Sequence, residues 1–357
     1  MEYFLHTTQF IVFLIVALST LVLALYYLTL FKVNKPILIK TNFKEGISVI
    51  VAAKNERENL TQNLTYLLNQ DYLNFEIIVV NDGSFDGTKK LLDDMALVHK
   101  KLKVVHLELK EQYQKGKKFA ITMGIKAANN EHLLFTDADC KPNSTQWLQH
   151  MANLFNENDI ILGIAPLNTK SNLLGSMISY ETFHTAIQYL GYSLRDKTYM
   201  GVGRNLGYTK TLFFENKGFA SHQHIMSGDD DLFIQEAAKN KKVGICFTEE
   251  SLMYSDPPPS FFKWIKQKAR HLSTSNEYRF VYKLILGFYS FSQILWFLSI
   301  LSFLVLYPNF WYLVVGFVIV KWLIQWIIFG KFALKINAKK IAYALPFYDI
   351  LFSLYLI

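Results

Sequence analysis

Apolar and polar positions divide the chain into two regimes. Residues 10–30 run for twenty-one positions without a charge, long enough to cross a bilayer as a helix. Two further apolar runs lie at 284–306 and 310–330, separated by Tyr307-Pro308-Asn309. A fourth, 341–357, is short and contains Pro346 and Asp349; it either crosses or lies partly in the interface. Between the first and second runs the pattern changes to short apolar strands alternating with amphipathic helices. Strands are expected at 47–53, 75–80, 102–107 and 132–136. Helices are expected after Asn55-Glu56-Arg57-Glu58, with Leu60, Leu64, Leu67 and Leu68 on one face, and over 87–98 and 117–128. Such alternation predicts an α/β fold, a parallel sheet with helices on both faces, with ligands gathering at the strands' C-terminal ends.

Beyond 166 the pattern is less regular. Leu174, Ile178, Phe183, Ile187 and Leu190 recur at helical spacing with Glu181 and His184 among them. They predict a helix packed on the sheet, or one at the membrane surface lining an acceptor channel. Asp256-Pro257-Pro258-Pro259 forces an extended break. The following residues set Phe261, Phe262, Trp264 and Ile265 beside Lys263, Lys266, Lys268 and Arg270. That mixture suits a helix in the headgroup layer, its lysines towards anionic lipid.

Charge adds an orientation. The net charge is +8, yet 51% of residues are hydrophobic, so the basicity is not that of a nucleic-acid binder. Lys32, Lys35, Lys40 and Lys44 follow the first run, Arg270, Arg279 and Lys283 precede the second, and Lys331, Lys335, Lys339 and Lys340 follow the third. The positive-inside rule then puts the N-terminus outside and the region from about 32 to 283 in the cytoplasm, anchored in the inner membrane. Four segments result: an N-terminal transmembrane helix at 1–31, a cytoplasmic domain at 32–258, an interfacial helix and linker at 259–283, and a C-terminal membrane region at 284–357. Cys140 and Cys246 lack metal-ligand spacing and give no disulfide framework, which fits a reducing compartment.

The polar clusters fall where strands end. Asp137 and Asp139 follow the 132–136 strand, and two close carboxylates there either bind a hard cation such as Mg²⁺ or Mn²⁺ or form a solvated turn. Glu56 and Asp82 follow the first two strands and are suited to a base or ribose, or to a helix cap and a turn. Lys115-Gly116-Lys117-Lys118 is either a diphosphate contact at a helix start or a solvated basic turn. Gly201-Val202-Gly203-Arg204-Asn205-Leu206-Gly207 offers a close backbone approach bordering the same region. His222 and His224 read as a polar loop rather than a metal pair. Asp229, Asp230 and Asp231 open a helix.

Taken in order, Ala52-Ala53-Lys54-Asn55-Glu56, Val80-Asn81-Asp82-Gly83-Ser84, the 115–118 turn, Asp137-Ala138-Asp139 and Gly228-Asp229-Asp230-Asp231 resemble the motifs of inverting family 2 glycosyltransferases with the GT-A fold. Gln267-Lys268-Ala269-Arg270-His271 resembles the Gln-x-x-Arg-Trp motif of their membrane-embedded, synthase-like members. The resemblance implies a UDP-sugar donor and Mg²⁺ or Mn²⁺. It also implies Glu56, Asp82, Lys117, Asp137, Gln267 and Arg270 as donor-binding, Asp139 as the metal ligand, and Asp229, or else Asp230, as the catalytic base. It further implies transfer to a lipid or cell-envelope glycan. A processive polysaccharide synthase and a non-catalytic nucleotide-sugar-binding membrane subunit are the alternatives. His271 stands where the family has Trp, and Gly228 where it has Glu; both depart from a processive synthase.

Overall fold

The computed structural model describes residues 2–35, 43–108, 116–225 and 227–357. They form two compact units. One comprises the helix Glu2–Thr29, the stretch Ser171–Tyr192 and Arg279–Ile357. The other comprises residues 43–170 together with Ser193–Tyr278.

In the apolar unit three helical spans are long and apolar enough to cross a membrane: Thr7–Thr29, Phe280–Leu306 and Pro308–Lys335. The third contains a π-helical turn at Trp326–Gly330. The fourth apolar run does not form a span of that length. It breaks at Ala344 into Lys339–Tyr343 and Leu345–Leu356, where Pro346 suits the first turn of the second piece. Twelve residues rise only about 18 Å, short of a hydrocarbon core of about 30 Å. A polar cluster ties that short helix in. Lys321 and Asp349 pair side chain to side chain, fully buried. Gln293 and Gln325 each donate to Asp349 Oδ1 at 3.1 Å, and Trp322 donates to Oδ2 at 3.2 Å. In so apolar a setting an ionised group persists only when paired this way. The helix Leu173–Ser193 packs here and not on the sheet: the Phe183 ring meets Phe329 at 5.9 Å and the Tyr180 ring stacks on Tyr348 at 5.5 Å.

The other unit holds a seven-stranded sheet. The strands in chain order are β1 Ile47–Ala53, β2 Phe75–Asn81, β3 Leu102–His106, β4 His132–Asp137, β5 Lys141–Pro142, β6 Ile160–Leu162, β7 Leu206–Thr209, β8 Val243–Ile245 and β9 Met253–Tyr254. The sheet order is β3-β2-β1-β4-β7-β6-β8, and β5 and β9 form a separate ribbon. β1 to β4 are parallel, as the alternation predicts; the β-branched runs of β1 and β2 are buried on both faces, whereas β3 at the sheet edge is mostly half-buried. β7 runs antiparallel between β4 and β6, an insertion that three- and four-residue strands do not announce in sequence. Register then fixes the site. Ala52 is level with both Val80 and Asp137, so Glu56, Asp82 and Asp139 emerge at one edge.

Candidate functional site

The site is built from four chain segments that meet beside β4. A pocket is walled by Ala52 of β1, Phe135 to Asp137 of β4, Tyr208 of β7, Gly203, Lys117 and Asp229. Lys117 opens the helix Lys117–Ala127 directly after Gly116, whose φ of +116° suits glycine. Its ammonium lies 2.8 Å from Asp137 Oδ1 and 3.1 Å from Asp229 Oδ2. Burial opposes the ammonium, but Asp137 and Asp229 outweigh it and hold Lys117 charged well above its ordinary range. Burial likewise opposes the Asp137 carboxylate, and Lys117, with Arg204 and Arg270 behind it, keeps that group below the usual carboxylate range. Lys115 lies outside the described residues. Lys118 points the other way, is buried, and donates to the carbonyls of His222 at 2.6 Å and Ile225 at 3.1 Å.

The three consecutive aspartates have different partners. Asp229 is nearly buried and faces the pocket. Asp230 caps the helix Asp231–Ala237: Oδ1 accepts from its neighbour's N–H, and Oδ2 from Gly203 N–H, both at 2.8 Å. Burial, then Asp229 and Asp231, push Asp230 up to about 7. Asp231 accepts from Tyr278 Oη at 2.7 Å and from Leu232 N–H at 2.8 Å. Gly228 has φ +91°, and a Cβ there would lie 2.6 Å from Leu232 Cδ1. A side chain at 228 would therefore strain the backbone turn that delivers Asp229.

The remaining expected residues surround this centre. Asp139 follows on the exposed side of the β4 end, accepting only from the weak Cys140 Sγ–H donor at 3.4 Å among its described bonds. Burial and the Asp137 charge push its carboxyl up. A hard carboxylate open to solvent fits a Mg²⁺ or Mn²⁺ ion that completes its shell with phosphate and water. Among the described residues no group of three His, Cys, Asp or Glu side chains could hold a metal by itself. Glu56 accepts from Asn59 Nδ2 at 2.6 Å rather than capping the helix Arg57–Leu68. Burial pushes it up, and Asp139 and Asp137 add to this. Asp82 is buried against Lys54, 3.2 Å away. Gln267 is half-buried and Arg270 exposed on the helix Phe261–Ser275, within this same unit. His222 ends the 3-10 turn Ala220–His222 rather than lying in an open polar loop; it is buried, its Nδ1 2.9 Å from Ser221 Oγ. Sequence reasoning did not single out Thr136 or Tyr278. The Thr136 hydroxyl lines the pocket, buried, with no hydrogen-bond partner among the described residues. A lone threonine in a strand gives no signal of this.

Residues 48–213 match the family described as Glycosyl transferase family 2. A poly-beta-1,6-N-acetyl-D-glucosamine synthase of Staphylococcus epidermidis is 32% identical over 153 residues, 42% of this chain and 36% of that protein. Glycosyltransferase AglE of Haloferax volcanii is 34% identical over 105 residues, 29% of this chain and 33% of that protein. The chain thus spans about a third of the length of these relatives. Among solved structures, a mannosyltransferase from Pyrobaculum calidifontis in complex with GDP-Man and Mn²⁺ superposes with a TM-score of 0.56 at 16% identity, covering 96% of this chain and 97% of that one. The likeness is one of fold, GT-A in class.

Proposed function

From the glycosyl transferase family 2 domain that residues 48–213 form, we propose that the chain is a membrane-bound inverting glycosyltransferase. It moves a sugar from a nucleoside-diphosphate donor, a UDP-sugar by its motifs, to a hydroxyl of a lipid or cell-envelope glycan. The observation that carries this is the convergence of Lys117, Asp137 and Asp229 on one pocket at the strand ends. Asp229 is the base. The acceptor oxygen attacks the anomeric carbon, the bond from that carbon to the diphosphate breaks, and the acceptor's proton passes to the Asp229 carboxylate. Lys117 and Arg270 stabilise the charge gathering on the leaving diphosphate, Arg270 through its planar fork. Glu56, Asp82 and Asp137 orient the nucleoside, and Gln267 the donor. Held by Asp139, Mg²⁺ or Mn²⁺ would supply further electrostatic stabilisation of the diphosphate.

The segments 1–31, 32–258, 259–283 and 284–357 are assigned as anchor, catalytic domain, interfacial helix and membrane region. Flanking lysines support a cytoplasmic catalytic domain at the inner membrane. The test offers purified chain a panel of UDP-sugars and GDP-mannose with Mn²⁺ and membrane lipid extract, and identifies products by mass spectrometry. Single-sugar addition is expected. A long homopolymer would make it a processive synthase, and nucleotide binding without turnover of any donor would make it a non-catalytic subunit.

A further inference from the structure

One oxygen of the proposed base is already held. Asp229 Oδ2 is 3.1 Å from the Lys117 ammonium, which also lies 2.8 Å from Asp137. An ammonium on one oxygen stabilises the ionised carboxylate as a whole and so weakens Asp229 as a proton acceptor through either oxygen. Neither adjacent aspartate offers a substitute, because Asp230 is bonded to two backbone N–H groups and Asp231 to Tyr278 and Leu232. The backbone that carries Lys117 is pinned, since the next residue, Lys118, is buried on the carbonyls of His222 and Ile225. The Lys117 side chain is 38% exposed, so its flexible stem can swing where its backbone cannot.

Building on the transferase reading, we propose that Lys117 is a donor-operated latch on Asp229. In the donor-free protein it holds the base. The diphosphate of an arriving nucleotide sugar, more highly charged than a carboxylate, takes the ammonium over and frees Asp229 for the acceptor hydroxyl. The swing makes and breaks no covalent bond. Donor therefore binds before acceptor, and the base is unavailable to other hydroxyls until the donor is seated. The same competition works against the nucleotide, which must win Lys117 from Asp229. A ligand shifts such an equilibrium only by its differential affinity for the two states.

The test is a four-protein cycle on the full detergent-purified chain: wild type, Asp229→Asn, Lys117→Met and the double variant. UDP and GDP are titrated calorimetrically at fixed Mn²⁺. With Lys117 present, Asp229→Asn is expected to tighten nucleotide binding roughly three- to tenfold, the coupling usual for contacting residues. In the Lys117→Met background the same change should move it less than about twofold. Equal tightening in both backgrounds would mean plain charge repulsion and overturn the latch, as would no tightening with Lys117 present. Lys117→Gln replaces Lys117→Met in the cycle if the latter does not fold. Should neither nucleotide bind the wild type, the transferase reading falls and the latch with it; binding with a flat cycle removes the latch alone.

Discussion

The sharpest division of labour in this protein is between Asp229 and Asp230, and paired substitutions expose it. Asp229→Asn keeps the shape of the side chain but removes its capacity to take a proton. A positioned general base contributes roughly 10²–10⁴-fold, or about 3–5 kcal/mol of barrier, so transfer should fall by that factor while nucleotide still binds. Asp230→Asn acts elsewhere. Both Asp230 oxygens accept from backbone N–H groups, and an amide can serve only one of them. The loss of one capping-type bond costs about 0.5–2 kcal/mol of stability, with transfer reduced far less than in Asp229→Asn. The assay is nucleotide release coupled to product detection, run beside thermal unfolding of each variant in detergent. If Asp229→Asn transfers normally and Asp230→Asn is inactive though folded, the base is Asp230. If both variants remain fully active, a single displacement assisted by a carboxylate here is the wrong mechanism.

Three further outcomes are expected. Asp139→Ala should abolish the Mn²⁺ dependence of UDP affinity in calorimetry, and an unchanged dependence would refute its role as metal ligand. Asp230, pushed up to about 7 by burial and by Asp229 and Asp231, holds a proton that an unfolded carboxyl loses near about 3.9. Folded protein therefore binds more protons between those values, so stability should fall by about 2–4 kcal/mol from pH 4 to 7 and then level off; thermal unfolding against pH should show this slope, flattened in Asp230→Asn. Gly228→Glu should destabilise rather than activate, because the φ of +91° and the contact with Leu232 exclude a side chain. A cost of about 1–3 kcal/mol in thermal unfolding is expected.

What the sequence determined by itself was local. A continuous apolar run such as Ile47–Ala53 pays for burial only as a strand covered on both faces. Long, predominantly apolar spans can satisfy their backbone in lipid only as helices. Those two constraints settled the parallel core, three spans and the edge at which Glu56, Asp82, Lys117, Asp137 and Asp139 emerge. The order of short motifs then marked the segment that matches the family described as Glycosyl transferase family 2, residues 48–213. Tertiary structure decided matters that depend on residues far apart in the chain. It sent the helix Leu173–Ser193 to the apolar unit, because its aromatic stripe fits Phe329 and Tyr348, whereas periodicity says only that one face is buried. It placed β7 antiparallel beside β4, since pairing partners of short strands are set by the fold around them. It also separated three identical aspartates by partner, giving Asp229 to Lys117, Asp230 to backbone N–H groups and Asp231 to Tyr278. A carboxylate's chemistry is set by what surrounds it, and no run of identical letters carries that information.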